Sequence, residues 1–242
     1  MCSGYLVTHE TATGDATRIL VDAGNGATAN LQRYMPFADL DAVVLTHRHN
    51  DHIADMIGMF YALRYHPNPR GPLAVYAATE VADTLTMMLR RDSKNDLSPT
   101  FAFHTLTHNS TTTIGGITLH AIDAVHSVPA VSIKMVADDV AFVYSGDTTV
   151  NPDLVAFAHG ADVFLCEASW TGNAANYPPG IHMTATQAGQ HASAAGVKQL
   201  ILTHLTGQAD PQVALAEAQA AYDGPIRLAQ DLDVYNLAKD GR

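Results

Sequence analysis

Ten short runs rich in branched and aromatic residues alternate with helical patterns along most of this chain, which restricts it to folds in which sheets are covered by helices. The strand-like runs are Tyr5 to Thr8, Thr17 to Val21, Ala42 to Thr46, Leu73 to Ala77, Phe101 to Leu106, Thr118 to Val125, Val131 to Val136, Ala141 to Tyr144, Val163 to Cys166 and Leu200 to Thr203. Apolar spacing predicts helices over Asn25 to Tyr34, Ile53 to Tyr65, Thr79 to Arg91, Asn151 to His159, Thr184 to Ala195 and Pro211 to Tyr222. An α/β layered architecture follows. At 242 residues and 47% hydrophobic, the chain can bury a substantial core but is short for two independent domains, so residues 1–242 are expected to form one domain.

At the end of the apolar run Leu40 to Thr46, six residues read His47-Arg48-His49-Asn50-Asp51-His52. Side chains two apart in an extended segment point the same way, so His47 and His49 can reach one cation, while Asp51 and His52, past the bend, can face a second. A dinuclear site needs more donors than one loop supplies. They occur downstream, each closing a β-rich run: His126 after ITLHAIDAV, Asp147 in YSGDT and His204 at the end of QLILTH. Together, His47, His49 and His126 can hold one ion and Asp51, His52 and His204 the other, with Asp147 between them. Five imidazoles and two carboxylates without a thiolate suit two divalent ions, with zinc expected and manganese or iron as alternatives.

This pattern, HxHxDH followed by H, by D in SGDT and by H, resembles the metallo-β-lactamase superfamily of metal-dependent hydrolases along nearly the whole chain. The resemblance implies an αββα sandwich, and it sets Asp22 of Leu20-Val21-Asp22-Ala23-Gly24 beneath the histidine loop as a structural hydrogen-bond acceptor. The runs VFLCEASW at Val163 to Trp170 and IHMTATQAG from Ile181 are similar to the ribonuclease Z-like phosphodiesterase branch, and within it to actinobacterial cyclic-nucleotide phosphodiesterases. In place of the Gly-Leu that ribonuclease Z carries after its histidine run, this chain has Ile53-Ala54-Asp55-Met56. The resemblance implies that His182 protonates the leaving group while Glu167 holds it. Asp51 would orient or deprotonate the attacking water, a metal-bridging hydroxide would attack phosphorus, and 3′,5′-cyclic AMP would yield AMP. Trp170 and Tyr177, in the segment between CEAS and His182, are placed where a ring could stack a nucleobase or simply pack.

Charge narrows the partners. With 13 Lys and Arg against 24 Asp and Glu, the formal charge is −11, and the modest basic group Arg90, Arg91 and Lys94 is no track for a polyanion. Long nucleic acid is disfavoured, whereas a small phosphodiester remains compatible because metal ions supply local positive charge. The chain has neither an apolar run of membrane-spanning length nor a basic-then-apolar leader, so a cytoplasmic protein is expected. Cys2 and Cys166 point to a reducing compartment, Cys166 as a small buried hydrophobe. The resemblance also allows a homodimer.

Overall fold

The computed structural model describes residues 2–89 and 96–237, so Arg90, Arg91 and Lys94 lie outside the described residues. Two sheets are present among the described residues, giving a mixed α/β protein, and the chain divides into two compact units.

The first unit comprises Cys2–Thr107 and Thr113–Ile117. Its sheet runs β1 (Tyr5–Glu10), β2 (Ala16–Val21), β3 (Ala42–Leu45), β4 (Leu73–Ala78) and β5 (Phe101–Leu106), with an antiparallel β1–β2 hairpin and parallel pairing thereafter. All four residues of β3 are buried, as expected of a central parallel strand with both faces covered. The helices are α1 (Ala27–Leu31), α2 (Asn50–Ile53), α3 (Met56–Arg64) and α4 (Val81–Leu89). The single helix expected over Ile53 to Tyr65 is therefore two. The break falls at Asp55, whose N–H donates to Ala23 O (2.9 Å) and whose carboxylate accepts from Gly26 N, Thr28 N and Thr28 Oγ1, each at 2.9 Å. Those bonds anchor the start of α1 and outweigh the helical propensity of the flanking residues.

The second unit comprises His108–Thr112 and the described residues from Thr118 on. Its sheet has the order β12-β11-β10-β9-β8-β7-β6, from β6 (Ser110–Ile114), β7 (Ile117–Asp123), β8 (Val131–Ala137), β9 (Val140–Tyr144), β10 (Val163–Glu167), β11 (Leu200–Thr203) and β12 (Ile226–Leu228). β7 to β9 form an antiparallel meander, and β9 to β12 run parallel. The helices are α5 (Pro152–Phe157), α6 (Ala185–Ala195) and α7 (Pro211–Gln219). A capping box starts α6: Thr184 accepts from Gln187 N, and the Gln187 side chain accepts from Thr184 N. Gly196, at φ 60°, ends the helix in the left-handed conformation that glycine tolerates.

The core of this unit is built largely from small residues. Ala185, Ala188, Ala192, Ala214 and Ala218 are fully buried beneath Phe164, Leu200 and Leu202. Small side chains let α6 and α7 approach closely, and a Cβ on Gly189 would lie 2.6 Å from the Ala218 carbonyl oxygen. Gly189→Val is thus expected to force the helices apart and destabilise the protein by about 2–3 kcal/mol, seen as a lower urea midpoint at unchanged m-value.

His191, without any partner pattern in sequence, is a core residue of α6 at 5% exposure. Its Nδ1–H donates to Gln187 O (2.8 Å), and its Nε2 accepts from Asn151 N (3.1 Å). Burial pushes its pKa below the ordinary imidazole value, opposed by the bond to the Gln187 carbonyl. A depressed folded pKa means stability that is present above about pH 6.5 and lost as pH falls through the folded value. His191→Gln keeps an acceptor for Asn151 without a titrating ring. The stability gap between wild type and this variant is expected to shift against wild type below about pH 6.5, measured by urea melts across pH; a pH-independent gap would refute it.

Cys166 is buried and Cys2 exposed, both free, and burial raises the Cys166 thiol pKa well above its ordinary value. Among the described residues no helix is long and apolar enough to cross a membrane.

Candidate metal centre

In the first unit the histidine run lies directly after β3 and bends into α2. Asp22, just past β2 and at φ 55°, sits under it, fully buried. Its carboxylate accepts from Thr46 N (2.8 Å), from Thr46 Oγ1 (2.9 Å to Oδ2) and from His52 Nδ1 (2.7 Å). With its proton given to Asp22, Thr46 Oγ1 is left to accept from His47 Nδ1 at 3.1 Å. Both imidazoles therefore hold their Nδ1 against the protein, the support that fixes the tautomer of a ligating histidine and turns Nε2 outward. His47 Nε2 lies 3.0 Å from His49 Nδ1, and His52 Nε2 lies 3.8 Å from Asp51 Oδ2. The backbone around them is tightly packed: Ser3 N donates to Asp51 O (2.9 Å), Ala23 N donates to His52 O (2.7 Å), and a Cβ on Gly24 would stand 1.9 Å from Asp51 O.

In the second unit the site residues follow the carboxyl ends of strands: His126 after β7, Asp147 after β9, Glu167 closing β10 and His204 after β11. Asp147 is central. His126 Nε2 is 3.9 Å from its Oδ2, and His204 Nε2 is 3.6 Å from its Oδ1. These separations are too long for hydrogen bonds, but two donors each about 2.1 Å from a common ion stand about 3.4 Å apart at a tetrahedral angle and farther when it opens. His126 Nδ1 donates to Ile181 O (2.8 Å) and His204 Nδ1 lies 3.0 Å from Ser169 Oγ, so here too Nδ1 is held and Nε2 faces the carboxylate. Burial, only partly opposed by that backbone bond and the Asp147 and Glu167 charges, lowers the His126 pKa and favours the neutral ring that binds metals. Imidazole and carboxylate donors converging on Asp147 are compatible with a divalent metal site; His182 is close enough to join that cluster, but its Nδ1 is taken by Glu167.

His182 is held through its Nδ1, which bonds Glu167 Oε1 at 2.8 Å and lies 3.9 Å from Asp147 Oδ2. Glu167, fully buried, also accepts from Thr148 N (2.8 Å), from Ser169 Oγ (2.8 Å) and, at 3.3 Å, from Ser169 N and Met183 N. So many donors stabilise a buried charge that would otherwise be costly. The supporting roles of Thr46, Thr148 and Ser169 were not read from sequence, although each lies within two residues of a residue that was. Trp170 and Tyr177 stack on one another, centroids 4.5 Å apart and planes at 5°, and Trp170 meets the His182 ring edge-on at 5.3 Å.

The sequence matches the family model of the Beta-lactamase superfamily domain over residues 17–205. The uncharacterized protein Rv1339 of Mycobacterium tuberculosis is 32% identical, across 99% of this chain and 91% of its own. Ribonuclease Z of Myxococcus xanthus is 25% identical, across 88% of this chain and 86% of its own. The crystal structure of the metallo-beta-lactamase fold protein YhfI of Bacillus subtilis superposes with a TM-score of 0.83 at 24% identity, covering 97% of this chain and 92% of that one. A family model reaching from β2 to the histidine that closes β11, and a relative alike over nearly its full length, put this chain in the beta-lactamase superfamily as a metallo-hydrolase with the metallo-β-lactamase fold.

Proposed function

We propose that the protein is a dinuclear-metal phosphodiesterase that hydrolyses a small cyclic nucleotide, 3′,5′-cyclic AMP to AMP, and that its 242 residues act as one hydrolase domain. In this reading His47, His49 and His126 hold one ion, Asp51, His52 and His204 the other, and Asp147 both, with zinc preferred over manganese or iron. When bound, two divalent cations supply Lewis acidity, lowering the pKa of water and neutralising charge on phosphoryl oxygens. The chain's own groups do the rest. Asp51 takes the proton of the attacking water as its oxygen adds to phosphorus. The bond from phosphorus to O3′ breaks, and the departing alkoxide takes a proton from His182 Nε2. Glu167 keeps that imidazole oriented and stabilises its charged form.

The observation that carries this reading is the 2.8 Å pair of Glu167 and His182 beside Asp147, an arrangement for donating a proton to a poor leaving group. A ribonuclease Z-like endonuclease acting on tRNA is the second reading, favoured by the similarity to a ribonuclease Z and opposed by the −11 charge. The test is a turnover screen of the metal-loaded protein against cyclic nucleotides, bis(p-nitrophenyl) phosphate, a tRNA precursor and a thioester, with metal content measured alongside. Cyclic nucleotide hydrolysis with two ions per chain is expected. Turnover of the thioester alone would sink the proposal, and strongly salt-dependent cleavage of the tRNA precursor would move it to the second reading.

A further inference from the structure

We propose that Trp170 and Tyr177 form a preorganised aromatic shelf that stacks the nucleobase of the substrate and so sets specificity for nucleotides over simpler phosphodiesters. The inference rests on the phosphodiesterase reading above. The two rings are half-buried, in a segment where Gly172 to Asn176, Pro178 and Pro179 are exposed. Such a loop ordinarily leaves its residues mobile, yet here both are held. Trp170 N donates to Met183 O (3.2 Å) and Ala185 N donates to Trp170 O (2.8 Å), tying the main chain at residue 170 on both sides of Thr184, and Tyr177 covers one face of the indole. Tyr177 Oη donates to Thr171 O (2.7 Å), Asn173 caps the turn Ala174–Asn176, and Gly172 N donates to the Glu217 carboxylate of α7 at 2.8 and 3.0 Å. A flat apolar surface already immobilised loses little entropy when a base docks on it.

Position supplies the second argument. The group that protonates O3′ must lie against the ribose, and the base is one glycosidic bond farther along the same sugar. The Trp170 ring stands 5.3 Å, centroid to centroid, from the His182 ring, with Tyr177 stacked on its face, so an aromatic surface adjoins the place where His182 would hold the ribose. Every base has a π-face, and stacking tolerates sequence while rejecting ligands that lack a ring. A purine offers the larger stacking area and is the expected base.

Trp170 is the sole tryptophan, which makes its emission a specific reporter. In the full-length protein, AMP is expected to quench that emission saturably, and ribose 5-phosphate, which has no base, is not. Tyr177→Leu should weaken AMP binding about tenfold, within the range that stacking a base on a ring provides. Tyr177→Phe, which keeps the ring and loses the bond to Thr171 O that helps to hold it, should weaken AMP binding about threefold, clearly less than Tyr177→Leu. Equal responses to AMP and ribose 5-phosphate, no quenching by AMP, or a Tyr177→Phe loss as large as that of Tyr177→Leu would each overturn the shelf, even if cyclic nucleotides are hydrolysed. Base-dependent quenching in a protein that turns over no phosphodiester would instead retain the shelf and defeat the proposed activity.

Discussion

His182→Ala is expected to lower hydrolysis of a cyclic nucleotide by about 10²–10⁴-fold with metal content unchanged, the range over which a positioned general acid acts. The reasoning is geometric: His182 is fixed through Nδ1 to a buried carboxylate, beside Asp147, and is outside the proposed ligand set. Leaving-group chemistry makes the prediction specific. A p-nitrophenolate departs without needing a proton, so the same variant should lose far less on bis(p-nitrophenyl) phosphate than on a cyclic nucleotide. Equal losses on both substrates would show that the substitution damages the site generally, and proton donation would have to be assigned elsewhere.

Asp22→Ala should destabilise the protein by about 3–5 kcal/mol, the cost of leaving several buried donors without their acceptor. Three donors converge on that carboxylate: the Thr46 amide, the Thr46 hydroxyl and His52 Nδ1. The substitution also frees His52 and, through Thr46, His47 to rotate, so loss of metal affinity should accompany the loss of stability. Urea unfolding together with metal titration checks both. A variant with a wild-type midpoint would mean that the histidine loop does not depend on this support.

The fold was legible to the extent that its strands are patterned. Phe101–Leu106 and Leu200–Thr203 have the expected bounds because their apolar content stops abruptly at polar turns. Two strands escaped. Ser110–Ile114 buries one residue of five, and Ile226–Leu228 is three residues long with none fully buried, so neither carries a hydrophobic period. Asp55 shows the complementary failure, since it breaks a periodic helix by bonding to residues 27 and 29 positions away. Such a partner is visible only after folding.

The site divides along similar lines. Residues whose chemistry is rare, such as the imidazoles after β3 and Asp147 in its Ser-Gly-Asp-Thr turn, declare themselves by type and place. Ser169 does not, because serine is common and its role comes from standing between Glu167 Oε2 at 2.8 Å and His204 Nδ1 at 3.0 Å. Its hydroxyl can donate to the carboxylate while accepting from the ring, which couples the orientation of His204 to the residue that holds His182.

One anchor of the segment from Thr171 to Ile181, Glu217, lies far away in sequence on α7. Loop transplantation between relatives would therefore need to carry position 217 with the loop. A graft that omits it would inherit the donor's contact surface without the anchor, and lost preference in such a chimera would reflect a missing tether rather than an unsuitable loop.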